Sequence, residues 1–189
     1  MMSAHRGERR DKAIQAADCR IKSVVADGSI TRDGLECISS QIENLASERW
    51  IWEEEAFCGP EGQRRVASHR LTVEGRHCFA LYLKIFRHRT WTRPHNHLTW
   101  CCIAPISGQV WNYLYNRHDF ENRRDEIRSQ PTLLRWGASC SLMPEDVHSL
   151  ETDSDGFVKI LHAYGGFLES IPGRSEFVVE TKTWRAIPL

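Results

Sequence analysis

The chain has 189 residues, enough for one domain with a core that is stable on its own. Its 25 basic residues are matched by 25 acidic ones and no basic tract recurs along one face, which argues against nucleic acid and anionic membrane as partners. The charged opening MMSAHRGERRDKAI is not a signal peptide, and no apolar run approaches the ~18 to 20 residues needed to cross a bilayer. The seven cysteines are odd in number, irregularly spaced and without a C-x-x-C pair, a pattern that suits a reducing cytosol.

The first third reads as helical. ERRDKAIQAADCRIKSVVADG spaces Ala13, Ile14, Ala17, Ile21, Val24 and Val25 at helical intervals and closes on Gly28. TRDGLECISSQIENLASERW repeats the pattern, with Leu35, Ile38, Ile42 and Leu45 as an apolar stripe and Thr31 placed to cap it. Both stripes are read as packing faces. After FCGPEG the composition shifts to short β-branched and aromatic runs separated by Gly, Pro, Asn or Asp. These are RRVASHRLTV, CFALYLKIF, LTWCCIAPI, QVWNYLYN, TLLRW, SCSLM, VHSLE, VKILHAY and EFVVETKTW. Strands this short and this regularly spaced predict an antiparallel sandwich or barrel. The expected organisation is a single, mainly β domain over 1–189, with a helical segment over 1–55 packed outside a barrel over 63–189. A monomer is the default expectation.

Within WTRPHNHLTW, His95 and His97 are separated by one residue. Side chains at i and i+2 of a strand share a face, so the two imidazoles converge; on a helix they would diverge. LMPEDVHSLE places His148 after a Pro-acidic turn further on, following a strand that ends at Gly108 and a hairpin. That order is the one in which a double-stranded β-helix, the cupin barrel, presents metal ligands. Three imidazoles leave coordination positions open, as catalytic metal needs. The glutamate usual four residues after the second histidine is replaced by Cys101, so a divalent metal would keep its full charge and favour anionic ligands and thiolate.

These residues resemble the cysteine dioxygenase family of cupin thiol dioxygenases, and most closely its bacterial 3-mercaptopropionate dioxygenase branch. PHNHLTWCCIAPISG is similar to P-x-H-D-H-x-x-W-G-x-I-x-x-x-x-G, PEDVHSL to P-G-D-V-H, and ILHAYGG to S-x-H-x-Y-G. The resemblance runs in order from about Arg65 to Arg174. It implies a cupin fold, with His95, His97 and His148 as Fe(II) ligands and His162 and Tyr164 as the His-Tyr part of an outer triad. It further implies a small carboxylate-bearing thiol and O₂ as substrates. Some members link a cysteine to the tyrosine through a thioether; Cys101 stands in that position, read here as lying on the same strand face as His95 and His97. The family's carboxylate-binding arginine comes from one of two places, for which Arg70 and Arg174 are the candidates. Cys102 points outward in this reading.

The chain also departs from the pattern. Ile160 stands where the triad has Ser, so its side chain cannot hydrogen-bond His162. Asn96 replaces an Asp, and Glu145 replaces a turn glycine, which predicts a different backbone before His148. Trp91, Trp100, Trp111 and Tyr113 are candidates to line a larger pocket. Three functions follow from the residues: a thiol dioxygenase, a zinc or iron cupin with hydrolase or lyase chemistry, and a non-catalytic cupin that senses a metabolite or metal.

Overall fold

The computed structural model describes residues 2–25, 30–52, 57–72, 79–121 and 129–188. Its first elements are the two expected helices, α1 (Met2–Val24) and α2 (Arg32–Ser47). Thr31 is extended, and its side-chain oxygen accepts the Gly34 N–H at 3.1 Å, satisfying one of the free amides at the start of α2. The predicted stop at Gly28 lies outside the described residues. A short helix, α3 (Arg117–Glu121), was not expected from the sequence.

The strands are, in chain order, β1 (Val66–Arg70), β2 (Ala80–Phe86), β3 (His95–Asn96), β4 (Cys101–Ser107), β5 (Val110–Tyr115), β6 (Ser129–Leu134), β7 (Cys140–Leu142), β8 (Val147–Thr152), β9 (Val158–Tyr164), β10 (Ser175–Val178) and β11 (Thr183–Ala186). They form two antiparallel sheets, ordered β1-β2-β9-β4-β7 and β11-β10-β3-β8-β5-β6. EFVVETKTW, read as one strand, is instead the hairpin β10–β11, reversed at Lys182 with φ of 51°.

The central strands β2, β9 and β4 of the first sheet are buried on both faces, which explains why CFALYLKIF and LTWCCIAPI are almost continuously apolar rather than alternating. Leu81, Leu83 and Ile85 of β2, Cys102, Ala104 and Ile106 of β4, and Leu161 and Ala163 of β9 point outward. There they meet Leu35, Ile38, Ile42 and Leu45 of α2 and Ile14, Ala17 and Ile21 of α1. Each such aliphatic side chain contributes about 1.5–3 kcal/mol on full burial. The Cys102 thiol donates to the Leu35 carbonyl at 3.6 Å, in the outward orientation expected of it. The opposite parity points inward: Ala80, Tyr82, Phe86, Cys101, Ile103, Val158, Ile160 and Tyr164 pack against Val110, Leu134 and Leu150 of the second sheet. Among the described residues no helix is long and apolar enough to cross a membrane.

Candidate metal centre and its cleft

His95 and His148 are direct cross-strand partners in the β3–β8 pair. His97 lies just past β3, where the chain turns out of the second sheet through Leu98 at φ of 54° and enters the first sheet at Cys101. The two neighbouring histidines therefore converge through a strand end and a turn, not along one long strand. The sequence reading of Cys101 on the same strand face as His95 and His97 is corrected here: Cys101 belongs to the opposite sheet, and faces the same interior from there. The ligating atoms of His95, His97 and His148 all lie within 4.8 Å of one another, and the Nε2 atoms of His95 and His97 are 3.2 Å apart.

Outer partners orient two of the rings. His95 Nδ1–H donates to the Arg93 carbonyl at 2.8 Å, and His148 Nδ1–H donates to Asn112 Oδ1 at 2.7 Å. A carbonyl oxygen only accepts, so the proton sits on Nδ1 and the Nε2 lone pair is left for the centre of the cluster. Burial pushes His95 down to about 4. Burial and then the neighbouring imidazoles hold His97 and His148 well below the ordinary histidine range. All three are thus neutral at physiological pH, the form that binds metal. Three neutral imidazoles, His97 and His148 buried and His95 half-buried, with no carboxylate fit a divalent transition ion such as iron(II) or zinc, and do not fit Mg²⁺ or Ca²⁺. His95, His97 and His148 would hold it.

Beside this cluster, Tyr164 is fully buried with its ring 5.0 Å from that of His97. It pairs across the β4–β9 ladder with Cys101, and burial drives both the phenol and the thiol upward, so both stay protonated. His162 stacks on Tyr164 at 5.8 Å and 20°, with Phe86 on its other neighbouring side at 6.3 Å. The Ile160 side chain offers His162 nothing, but the Ile160 main-chain carbonyl takes its Nδ1–H at 3.3 Å.

The sequence reading missed Lys84. It stands on the inward parity of β2 between Tyr82 and Phe86, directly across from Ile160, and its ammonium donates to the Tyr164 hydroxyl at 2.8 Å. Protein surrounds it except toward the cleft, and that burial brings it down to about 8. The available signal was a lone lysine in an otherwise apolar run.

Lys84, His95 and His97 open on a cleft of about 600 Å³, also lined by Trp91, Arg174 and Glu176. Arg174 is buried in its wall, whereas Arg70 is exposed, its guanidinium 5.2 Å over the Phe167 ring and not among the lining residues. Of the aromatic candidates Trp91 lines the cleft, while Trp100 belongs to the core under the helices. Asn96 accepts the Ser175 N–H at 3.0 Å and donates to Ser175 Oγ at 3.2 Å, fastening β3 to β10 beside Arg174. The loop before His148 is closed by Asp146, whose carboxylate accepts the Met143 N–H at 2.8 Å, so Glu145 stands there without a positive φ.

An oxalate oxidase in complex with the substrate analogue glycolate superposes with a TM-score of 0.50 at 12% identity, over 65% of this chain and 61% of that one. The fold is a cupin barrel. A cupin 2 conserved barrel domain protein from Leptotrichia buccalis (TM-score 0.43, 17% identity, 58% of this chain and 44% of that one) and the DMSP lyase DddQ from Ruegeria pomeroyi DSS-3 (0.44, 19%, 60% and 53%) are similar over comparable stretches. The chain thus spans 61% or less of the length of these cupins. At 12% identity the likeness to the oxalate oxidase establishes the architecture alone. No protein-family model matches the sequence, and no curated protein is significantly similar to it.

Proposed function

We propose that this cupin is an iron(II)-dependent thiol dioxygenase, converting a small carboxylate-bearing thiol to its sulfinate. The observation that carries the reading is the placement of a protonated, fully buried Tyr164 against His97 of the three neutral histidines, behind a cleft whose wall holds the Arg174 guanidinium. The motif resemblance to the cysteine dioxygenase family points the same way. In the reaction R–SH and O₂ give R–SO₂H: both oxygen atoms end on sulfur, and the sulfur supplies the electrons, so no external reductant is required.

Bound iron(II) supplies Lewis acidity toward sulfur and the redox chemistry that O₂ needs. The chain's own residues do the rest. Arg174 pairs with the substrate carboxylate and so aims the thiol at the histidines. Tyr164 holds a proton at its hydroxyl, fixed by Lys84 and adjacent to His97. His162 and Phe86 set the plane of the tyrosine ring, and Ile103, Ile160 and Leu142 keep water out of the barrel behind it. Its partners would be a small thiol and O₂, with the protein a cytoplasmic monomer.

A second reading is a zinc hydrolase or lyase on the same three histidines. It is favoured by one observation, Ile160 in place of the triad serine, which leaves His162 only a main-chain carbonyl. Oxygen uptake by iron(II)-loaded protein across a panel of small thiols separates the two. The dioxygenase reading expects O₂ consumed in equal amount to thiol lost; bound zinc without thiol-dependent uptake would sink it.

A further inference from the structure

Among the described residues, two cations face the cleft without a paired carboxylate. Lys84 reaches it from β2, and its Nζ is engaged by the neutral Tyr164 hydroxyl at 2.8 Å. Arg174 reaches it from the segment before β10; it is 9% exposed, and among the described residues its guanidinium makes one hydrogen bond, Nε–H to the Ile171 carbonyl at 3.4 Å. The carboxylates nearby are occupied elsewhere. Glu176 pairs with Arg93 at 3.5 Å and with Arg185. Glu169 accepts from the Tyr82 hydroxyl at 2.6 Å; its charge is felt at both Lys84 and Arg174, yet it forms an ion pair with neither. Glu180, which also borders the cleft, is exposed.

Charges set in a wall of low dielectric are costly, and an arriving anion offsets that cost. One cation accounts for a monocarboxylate. A second, entering the same cleft from the other sheet, is left with no anionic partner by such a ligand. The two donors also differ in kind: Arg174 presents a planar fork suited to one carboxylate, and Lys84 a compact charge that reaches a single oxygen. The cleft of about 600 Å³ that both residues border has room for a four-carbon diacid.

We propose that the cleft takes a small ligand with two anionic groups, a dicarboxylate of the succinate class, with one carboxylate on Arg174 and the other on Lys84. Joined to the function above, on which this last step rests, it makes the substrate the thiol of a dicarboxylic acid rather than of a monocarboxylic one. The binding itself needs no turnover.

Calorimetric titration of succinate and of propionate into the full-length, metal-loaded protein tests this. Succinate is expected to bind about ten-fold more tightly or better, from one additional charged contact. Lys84→Met should abolish that advantage by weakening succinate far more than propionate, Lys84→Arg should retain it, and Arg174→Gln should weaken both ligands. Equal affinity of the wild type for the two acids overturns the proposal, as does a Lys84→Met protein that still prefers succinate. If Lys84→Met does not fold, the wild-type ratio and Lys84→Arg decide. Oxidation of monocarboxylic thiols without a succinate preference would overturn this inference and leave the dioxygenase reading standing. Tight succinate binding without any thiol oxidation would do the reverse.

Discussion

Cys101 and Tyr164 stand directly opposite each other in the β4–β9 ladder, both on the barrel's inner face. Opposed side chains in an antiparallel pair have Cβ atoms only about 4.5–5.5 Å apart, so sulfur reaches the ring without backbone movement. Joining them would remove one hydrogen from the thiol and one from the ring, with O₂ as oxidant. Protein incubated with iron(II), thiol and air is expected to show a species about 2 Da lighter, at the mass of two lost hydrogens. Cys101→Ser should lack it. A single unshifted mass under all turnover conditions would make the pair a packing contact.

The partners behind the histidines set the strength of the metal site. Asn112→Ala removes the acceptor that fixes His148, and is expected to lower metal affinity roughly 10- to 100-fold without unfolding the barrel. His97→Ala should abolish tight binding. Chelator competition reads both, and an unchanged affinity in Asn112→Ala would mean that the β8 backbone alone orients His148.

Three buried imidazoles and the half-buried His95 also make the metal-free protein acid-sensitive. His95, His97, His148 and His162 all sit below their ordinary range because burial disfavours the charged ring. A depressed pKa means that the unfolded chain binds protons the folded chain refuses. The stability is therefore complete above the unfolded value of about 6.5 and is lost as pH falls toward about 4, the folded value for His95. The urea midpoint of metal-stripped protein should drop steadily across that window with little change in slope. A flat midpoint would contradict the burial of these rings.

Gly165 follows Tyr164 immediately, and a Cβ there would run into Thr99 Oγ1 and the Trp100 indole nitrogen. Gly165→Ala should cost about 1–3 kcal/mol through overpacking and disturb the tyrosine's position. Thermal melting reads the first effect. Wild-type stability would show that the Trp100 ring yields freely.

Much of this was legible in the sequence, for identifiable reasons. The stripe Leu35, Ile38, Ile42 and Leu45 and the Thr31 cap are local signals, and both appear as read. The three histidines were found from spacing and strand order, because a ligand set must come from neighbouring strand ends. That Cys101 faces Tyr164 followed from the family resemblance, but the sheet that carries Cys101 was harder to see. It depends on the chain changing sheets between His97 and Cys101, and nothing local marks that crossover except Leu98, a residue that seldom takes positive φ. Lys84 escaped because its role is cross-strand: it is defined by Ile160 and Tyr164, roughly eighty residues away in sequence. Arg70 and Arg174 looked alike as isolated arginines; burial in the cleft wall distinguishes them.

The most direct test of the central claim is the fate of isotopically labelled O₂ in the iron(II)-loaded protein given mono- and dicarboxylic thiols in turn. The account predicts a sulfinate carrying both labelled oxygen atoms, lost when His97 is replaced by alanine. A product carrying oxygen from water, or an unchanged thiol with iron bound at His95, His97 and His148, would contradict it.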